Sequence, residues 1–374
     1  MLLYLPVTVM NQSADLNTFT REAFAGFCSR LKVPRYRADQ LLQWIHQKNA
    51  GSFEEMTNLP QPLREVLSSS AQLNALALVH RNESSDRTVK CLFELYDGKQ
   101  VESVLIPEFF DDGVPDRLTV CVSSQVGCLF GCTFCATGKM GLHRNLTIGE
   151  ITRQVLWMNR IALETLGKKI TNVVYMGMGE PFHNYDPVTE SAALLCHPLG
   201  LNLSPRRITI STVGLTRQIV RYANEGHPWN LAISLHAADD LKRNRIMPIN
   251  ENLNLQALKE AVQHYYEKRR QPLTYEYLLF DRFNDAIEDA RKLASIARWA
   301  PCKVNIIMYN HVDGVDLQRA SESRLDRFMA ELTRSDVRAT VRRSRGDDID
   351  AGCGQLAIRE QKEQGKTLTS AQRL

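Results

Sequence analysis

From residue 118 onward the chain repeats one pattern, which restricts its fold more than any other feature. Short apolar runs at 118–123, 171–176, 208–212, 230–235, 275–280, 303–308 and 337–342 alternate with stretches of helical periodicity. Several runs are rich in Val and Ile with little polar alternation, as expected of parallel strands buried on both faces. Helices are expected at 147–166, 255–268, 286–298 and 323–333, the first opening on Thr147-Ile-Gly-Glu150, a capping box. Repeated β-α units imply parallel strands joined by right-handed crossovers. Six or seven of them predict an α/β fold built on a partial, open (β/α)6-type barrel. In such a barrel the working residues sit at the C-terminal ends of strands.

Residues 1–106 read differently. Short amphipathic helices are expected at 18–31 and 37–47, and a hairpin at 88–96 and 100–106 across Asp97-Gly98. We expect a small α+β accessory unit over 1–106 that binds RNA, the barrel over 117–356 and a polar tail over 357–374. The boundary falls in the acidic, Pro-containing stretch 107–116. A chain of 374 residues has the length for two such parts, and 44% hydrophobic content supports a packed core. A net charge of +4 is too small to argue for nucleic acid by itself. No apolar run reaches the roughly 20 residues that cross a bilayer, so no membrane partner is expected. The opening Met1-Leu-Leu-Tyr-Leu-Pro lacks the basic region of a signal peptide, and a cytoplasmic location is expected.

Nine cysteines, an odd number scattered along the chain, do not form a disulfide framework. Three are clustered: Cys128-Leu-Phe-Gly-Cys132-Thr-Phe-Cys135. This C-x3-C-x2-C spacing, in a Gly-bearing loop after a strand, suits three corners of one iron–sulfur cluster. Electron-carrier cubanes take four thiolates. Three leave one iron open, which is what a catalytic centre needs to hold a substrate. Phe134 would shield the cluster edge. The alternatives are a zinc knuckle or three buried thiols; structural zinc usually takes a second Cys pair, and none is present.

The spacing, with an aromatic before the third cysteine, resembles the radical S-adenosylmethionine superfamily. Met176-Gly-Met-Gly179-Glu180-Pro181 resembles that family's segment for the methionine amino group. Further segments narrow the likeness: Cys121-Val-Ser-Ser-Gln-Val-Gly127, Gly141-Leu-His-Arg-Asn-Leu-Thr147, Ile208-Thr-Ile-Ser211-Thr212, Ala232-Ile-Ser234-Leu235-His236, Met247-Pro-Ile-Asn250 and Gly346-Asp-Asp-Ile-Asp-Ala-Gly-Cys353-Gly-Gln-Leu356. All resemble the RlmN/Cfr family of adenine methyltransferases, from about residue 20 to 356.

The resemblance implies methylation of an adenosine in 23S ribosomal RNA, at C2 (RlmN, which also acts on transfer RNA) or at C8 (Cfr); C2 is favoured only by prevalence. It implies a [4Fe–4S] cluster on Cys128, Cys132 and Cys135, and S-adenosylmethionine held by Gly179, Glu180, Ser211, Ser234, Leu235, His236 and Asn310. Cys353 would be methylated by one S-adenosylmethionine, lose hydrogen to a radical made from a second, and attach to adenine. Cys121 would release that adduct by forming a disulfide bond with Cys353, and Glu102 would be the acid/base residue. An electron donor such as flavodoxin or ferredoxin is implied, and the chain is expected to be a monomer. Arg30, Lys32, Arg35 and Arg37 form one candidate RNA contact, and Arg334, Arg338, Arg342, Arg343 and Arg345 a second. Cys28, Cys91, Cys196 and Cys302 are read as packing residues. A radical activase acting on a protein and a zinc-containing RNA-binding protein are the readings from other classes.

Overall fold

The computed structural model describes residues 14–73, 76–109 and 113–357. The opening ten residues, most of the polar tail and part of the acidic stretch 107–116 lie outside the described residues. Three short helices come first: α1 (Arg21–Arg30), α2 (Tyr36–His46) and α3 (Gln61–Ser70). Their apolar faces close a small core of their own around Phe24, Leu41, Leu42, Ile45, Met56 and Leu67.

One ten-stranded sheet carries the rest, and its strands follow one another in space as they do in sequence. The strands β1 (Ala77–Glu83), β2 (Val89–Glu94), β3 (Gln100–Phe109) and β4 (Pro115–Cys121) pair antiparallel. From β4 onward pairing is parallel, through β5 (Asn172–Tyr175), β6 (Ile208–Thr212), β7 (Asn230–Ser234), β8 (Leu273–Leu279), β9 (Cys302–Met308) and β10 (Ala339–Arg342). That is six β-α units and a final strand, the open barrel expected. The β2–β3 hairpin, expected within the N-terminal unit, continues the barrel sheet instead. Val89, Phe93, Val101 and Leu105 lie in the barrel core, not the helical one.

The helices between parallel strands are α4 (Ile148–Leu166), α5 (Tyr185–Cys196), α6 (Thr216–Glu225), α7 (Asp240–Ile246), α8 (Leu255–Arg269), α9 (Ile287–Ala297) and α10 (Glu322–Arg334). Thr147 and Glu150 cap α4 reciprocally, as the spacing predicts, a device worth about 1 kcal/mol. Arg153 of α4 ties the two cores together, donating to Asn17 Oδ1 (3.0 Å) and to the carbonyl of Ala50 (2.9 Å).

The sheet's outer strands, β1 and β10, do not meet. The segment after β10 bridges the gap. Gly346 N–H donates to Asp86 (3.0 Å), Asp348 accepts from Ser84 Oγ (2.5 Å) and from Ser85 N–H (3.1 Å), and Lys90 donates to the Asp350 carbonyl (3.2 Å). This strap carries Cys353 across the C-terminal mouth of the barrel.

Candidate active site

The cysteine loop leaves β4 through a short antiparallel pair, Gln125–Gly127 with Leu142–Asn145. Cys128 N–H donates to Gly141 O (2.9 Å), and Thr133 N–H to Ile246 O at the end of α7 (3.0 Å). Cys128, Cys132 and Cys135 line one cavity with Gly179, Glu180, Ser211, Ser234 and His236. Burial pushes the Cys128 thiol up to about 12, and burial with its two neighbours drives Cys132 well above the ordinary range. Burial also raises Cys135. Three buried thiols this close ionise together only when cations compensate them, as metal does. A cubane with one open iron asks for one thiolate on each of three separate irons, and the three thiols of this loop are such a donor set.

A cation lies beside the loop. Arg243, 1% exposed, donates to the carbonyls of Leu235 (3.1 Å) and Val213 (2.7 Å) and to Asn250 Oδ1 (2.5 Å). Among the described residues no carboxylate lies within ion-pair distance of it, and burial lowers the guanidinium to about 10, opposed by the nearby Cys132. Nothing in the sequence singled it out.

Glu180 is buried behind the glycine turn. Its two oxygens accept from Phe182 N–H (3.0 Å) and Val213 N–H (2.8 Å), and burial lifts the carboxyl to about 7. Gly179 has φ +97°, and a Cβ there would stand 2.5 Å from Gln125 Cβ, so only glycine allows this close approach. Ser211 Oγ and Ser234 Oγ are 3.4 Å apart on adjacent strand ends. His236 packs edge-on against Phe134 and accepts from Leu278 N–H at Nδ1 (3.1 Å). Burial lowers it to about 3, so the ring is neutral. Leu235 does not reach the cavity; its backbone does the work, holding Arg243. Asn310 lies in a neighbouring cavity with Tyr309 and Gln355, its buried amide without a hydrogen-bond partner.

Cys121, at the end of β4, and Cys353, on the strap, face the same cavity as the three clustered cysteines. Cys353 is exposed to that cavity, yet crowding by protein pushes its thiol up to about 12, with Arg342 opposing the shift. Burial raises Cys121 to about 11, again opposed by Arg342. The strap fastens to the cysteine loop itself: Ala136 N–H donates to Gly354 O (2.8 Å), and Thr137 Oγ1 to Leu356 O (2.5 Å). All nine cysteines are free thiols, so the disulfide bond implied for Cys121 and Cys353 is absent from this structure. Cys28 and Cys91 are fully buried packing residues, as expected.

Glu102 is not in the cavity lining. Its carboxylate pairs with Lys90 (3.2 Å) and accepts from Ala357 N–H (3.0 Å), so it grips the strap. The lining carboxylate beside Cys353 is Glu276, on β8, which sequence reasoning missed. A second cavity of about 830 Å3 continues from Cys353 down the barrel lumen, lined by Arg206, Lys303, Arg338, Arg342 and Arg345. Arg343 lines the lumen too, paired with Glu322, whereas Arg334 of the expected basic group lies outside that lining and pairs with Glu331.

An open parallel barrel with three thiols, a glycine turn and paired serines at its C-terminal mouth defines a radical S-adenosylmethionine enzyme. Residues 122–294 match the radical SAM superfamily, and residues 14–73 match the family described as the ribosomal RNA large subunit methyltransferase N-terminal domain. A probable dual-specificity RNA methyltransferase RlmN of Salinibacter ruber is 50% identical, over 92% of this chain and 94% of that protein. Its Staphylococcus aureus counterpart is 42% identical, over 88% of each. The crystal structure of a radical SAM methyltransferase from Sphaerobacter thermophilus superposes with a TM-score of 0.86 at 41% identity, over 92% of this chain and 99% of that one. The chain belongs to the RlmN family of radical S-adenosylmethionine RNA methyltransferases. The family implies a [4Fe–4S] cluster and S-adenosylmethionine, which the cysteine cavity fits.

Proposed function

We propose that the chain methylates C2 of an adenosine in 23S ribosomal RNA, and of transfer RNA, with Cys353 as the methyl carrier. The observation that carries this reading is that Cys353 and Cys121 face the cavity of Cys128, Cys132 and Cys135. C2 of adenine has neither an acidic proton nor a lone pair for ordinary methyl transfer, so a radical route is required. Cys128, Cys132 and Cys135 would hold the cluster, which would supply the electron needed to cleave S-adenosylmethionine to a 5′-deoxyadenosyl radical. Glu180, Ser211, Ser234, His236 and the Gly179 turn hold S-adenosylmethionine, with Leu235 contributing backbone and Asn310 an amide.

Cys353 attacks the methyl group of a first S-adenosylmethionine as a thiolate and keeps it as a thioether. Its S-methyl group then gives one hydrogen atom to the 5′-deoxyadenosyl radical, and the remaining methylene adds to C2 of adenine, the adduct losing the C2 proton and one electron, the equivalent of the one first supplied. The Cys121 thiolate attacks the Cys353 sulfur, forming a transient disulfide as the S–CH2 bond breaks, and the released carbon takes up a proton to become the methyl group. Glu102 serves as the acid/base residue once it lets go of Ala357. Leu129 is exposed directly beside Cys128, which gives a donor such as flavodoxin or ferredoxin an approach to the cluster. Among the described residues no helix is long and apolar enough to cross a membrane, and we take the enzyme to act as a cytoplasmic monomer.

The test is methyl transfer from labelled S-adenosylmethionine to unmodified ribosomal RNA, with mass analysis of the modified nucleoside. A 2-methyladenosine product supports the reading, and an 8-methyl product moves the chain to the Cfr branch. 5′-Deoxyadenosine without RNA methylation removes the RNA substrate.

A further inference from the structure

Glu276 is a buried carboxylate in the middle of the site with no part in the chemistry above. It sits on β8 at the interior row of the sheet, paired in register with Ser234 of β7 and Asn305 of β9. Asn305 in turn pairs with Thr340 of β10. The side chains of that row are linked: Thr340 Oγ1 donates to Asn305 Oδ1 (2.8 Å), and Asn305 Nδ2 donates to Glu276 Oε1 (3.0 Å). Three neighbouring strands thereby fix the carboxylate's orientation. Its second oxygen, Oε2, is buried and has no hydrogen-bond partner. The residue is 4% exposed and lines both the cysteine cavity and the lumen that meets it at Cys353. An oriented, buried acceptor left without a donor costs free energy unless a ligand completes it.

We propose that Glu276 Oε2 accepts a hydrogen bond from the exocyclic amine of the target adenine, and so discriminates adenine from guanine. The proposal rests on the RNA reading above. The lumen is otherwise rich in donors: Arg206, Lys303, Arg338 and Arg342 suit phosphates and ring nitrogens, not an amine. Glu108, the lumen's other carboxylate, faces Arg117 (4.0 Å). Glu180 already holds two backbone N–H groups beside the cysteines. Among the described carboxylates of the two cavities, Glu276 is therefore the one with an oxygen left for an amine. Guanine presents an oxygen where adenine carries that amine, and a carboxylate facing it repels rather than binds. Burial raises the Glu276 pKa, opposed by the nearby Arg342 and by the hydrogen bond from Asn305.

The experiment compares methylation of two synthetic RNAs, identical except that one carries adenosine and the other purine riboside, which lacks the amine, at the modified position. Wild-type enzyme is expected to favour adenosine by about 10- to 100-fold in kcat/KM. Glu276→Ala and Glu276→Gln are expected to lose most of that preference through the adenosine RNA alone, with bound iron as the folding control. A wild-type ratio near one overturns the assignment without any variant. Variants that retain the ratio, or slow both RNAs equally, overturn it too. Methylation of neither RNA by wild-type enzyme removes the RNA reading, and this assignment with it.

Discussion

At the scale of single residues, the site sets the three clustered cysteine thiols and the carboxyl groups of Glu180 and Glu276 around one cavity, with the buried Arg243 guanidinium beside Cys132. Cys132→Ser is expected to bring bound iron close to background while leaving the fold intact, measured by iron assay and circular dichroism. Arg243→Met leaves the carbonyls of Leu235 and Val213 buried without a donor. It is expected to cost about 3 kcal/mol in denaturant unfolding. The three cysteines were legible because their spacing is local. Glu276 and Arg243 were not. Each is one charged residue in an ordinary strand or helix, and its meaning comes from neighbours on other elements. Glu102 shows the converse. Its motif was legible, but its contact with Ala357, 255 residues away, was not. The structure thus gives Glu102 a grip on the strap that sequence reasoning did not contain.

At the scale of elements, the strap is what makes the cavity a site. Cys353 is presented by a segment anchored at one end to the β1–β2 turn and at the other to the cysteine loop. Gly352 allows this only because it lacks a side chain: a Cβ there would stand 2.0 Å from Asn310 Nδ2. Gly352→Ala is expected to slow RNA methylation at least about tenfold, because small displacements at a reacting centre are costly. Bound iron, measured alongside, should be unchanged. Asp348→Ala removes the contacts with Ser84 and Ser85, and limited trypsin digestion should then cut faster after Arg345. Strongly patterned elements were legible from sequence, α4 with its capping box and β6 at its exact limits among them. The helices α3, α5, α6 and α7 were not. In α6 only Ile219, Tyr222 and Ala223 are buried, too few apolar positions to stand out in Thr216–Glu225.

At the scale of the whole molecule, one sheet in sequential order links the hairpin, the cluster loop and the lumen. The open barrel was legible from the alternation of runs and helices. The hairpin's membership in that sheet was not, because β-pairing beyond a turn leaves no local mark. The lumen cations predict how RNA binding depends on salt. Arg338→Ala should weaken binding and lower the slope of log affinity against log salt by about one. Arg334→Ala should leave that slope nearly unchanged, since Arg334 lies outside the lumen lining and pairs with Glu331. The central claim, that Cys353 carries the methyl group within reach of the cluster chemistry, has one most direct test. Enzyme incubated with methyl-labelled S-adenosylmethionine, then chased with unmodified RNA and unlabelled S-adenosylmethionine, is digested and mapped by mass spectrometry. The account predicts label on the Cys353 peptide before the chase and on the adenosine after it. RNA that gains only unlabelled methyl while the label stays on Cys353, or a Cys353 peptide that is never labelled, would contradict it.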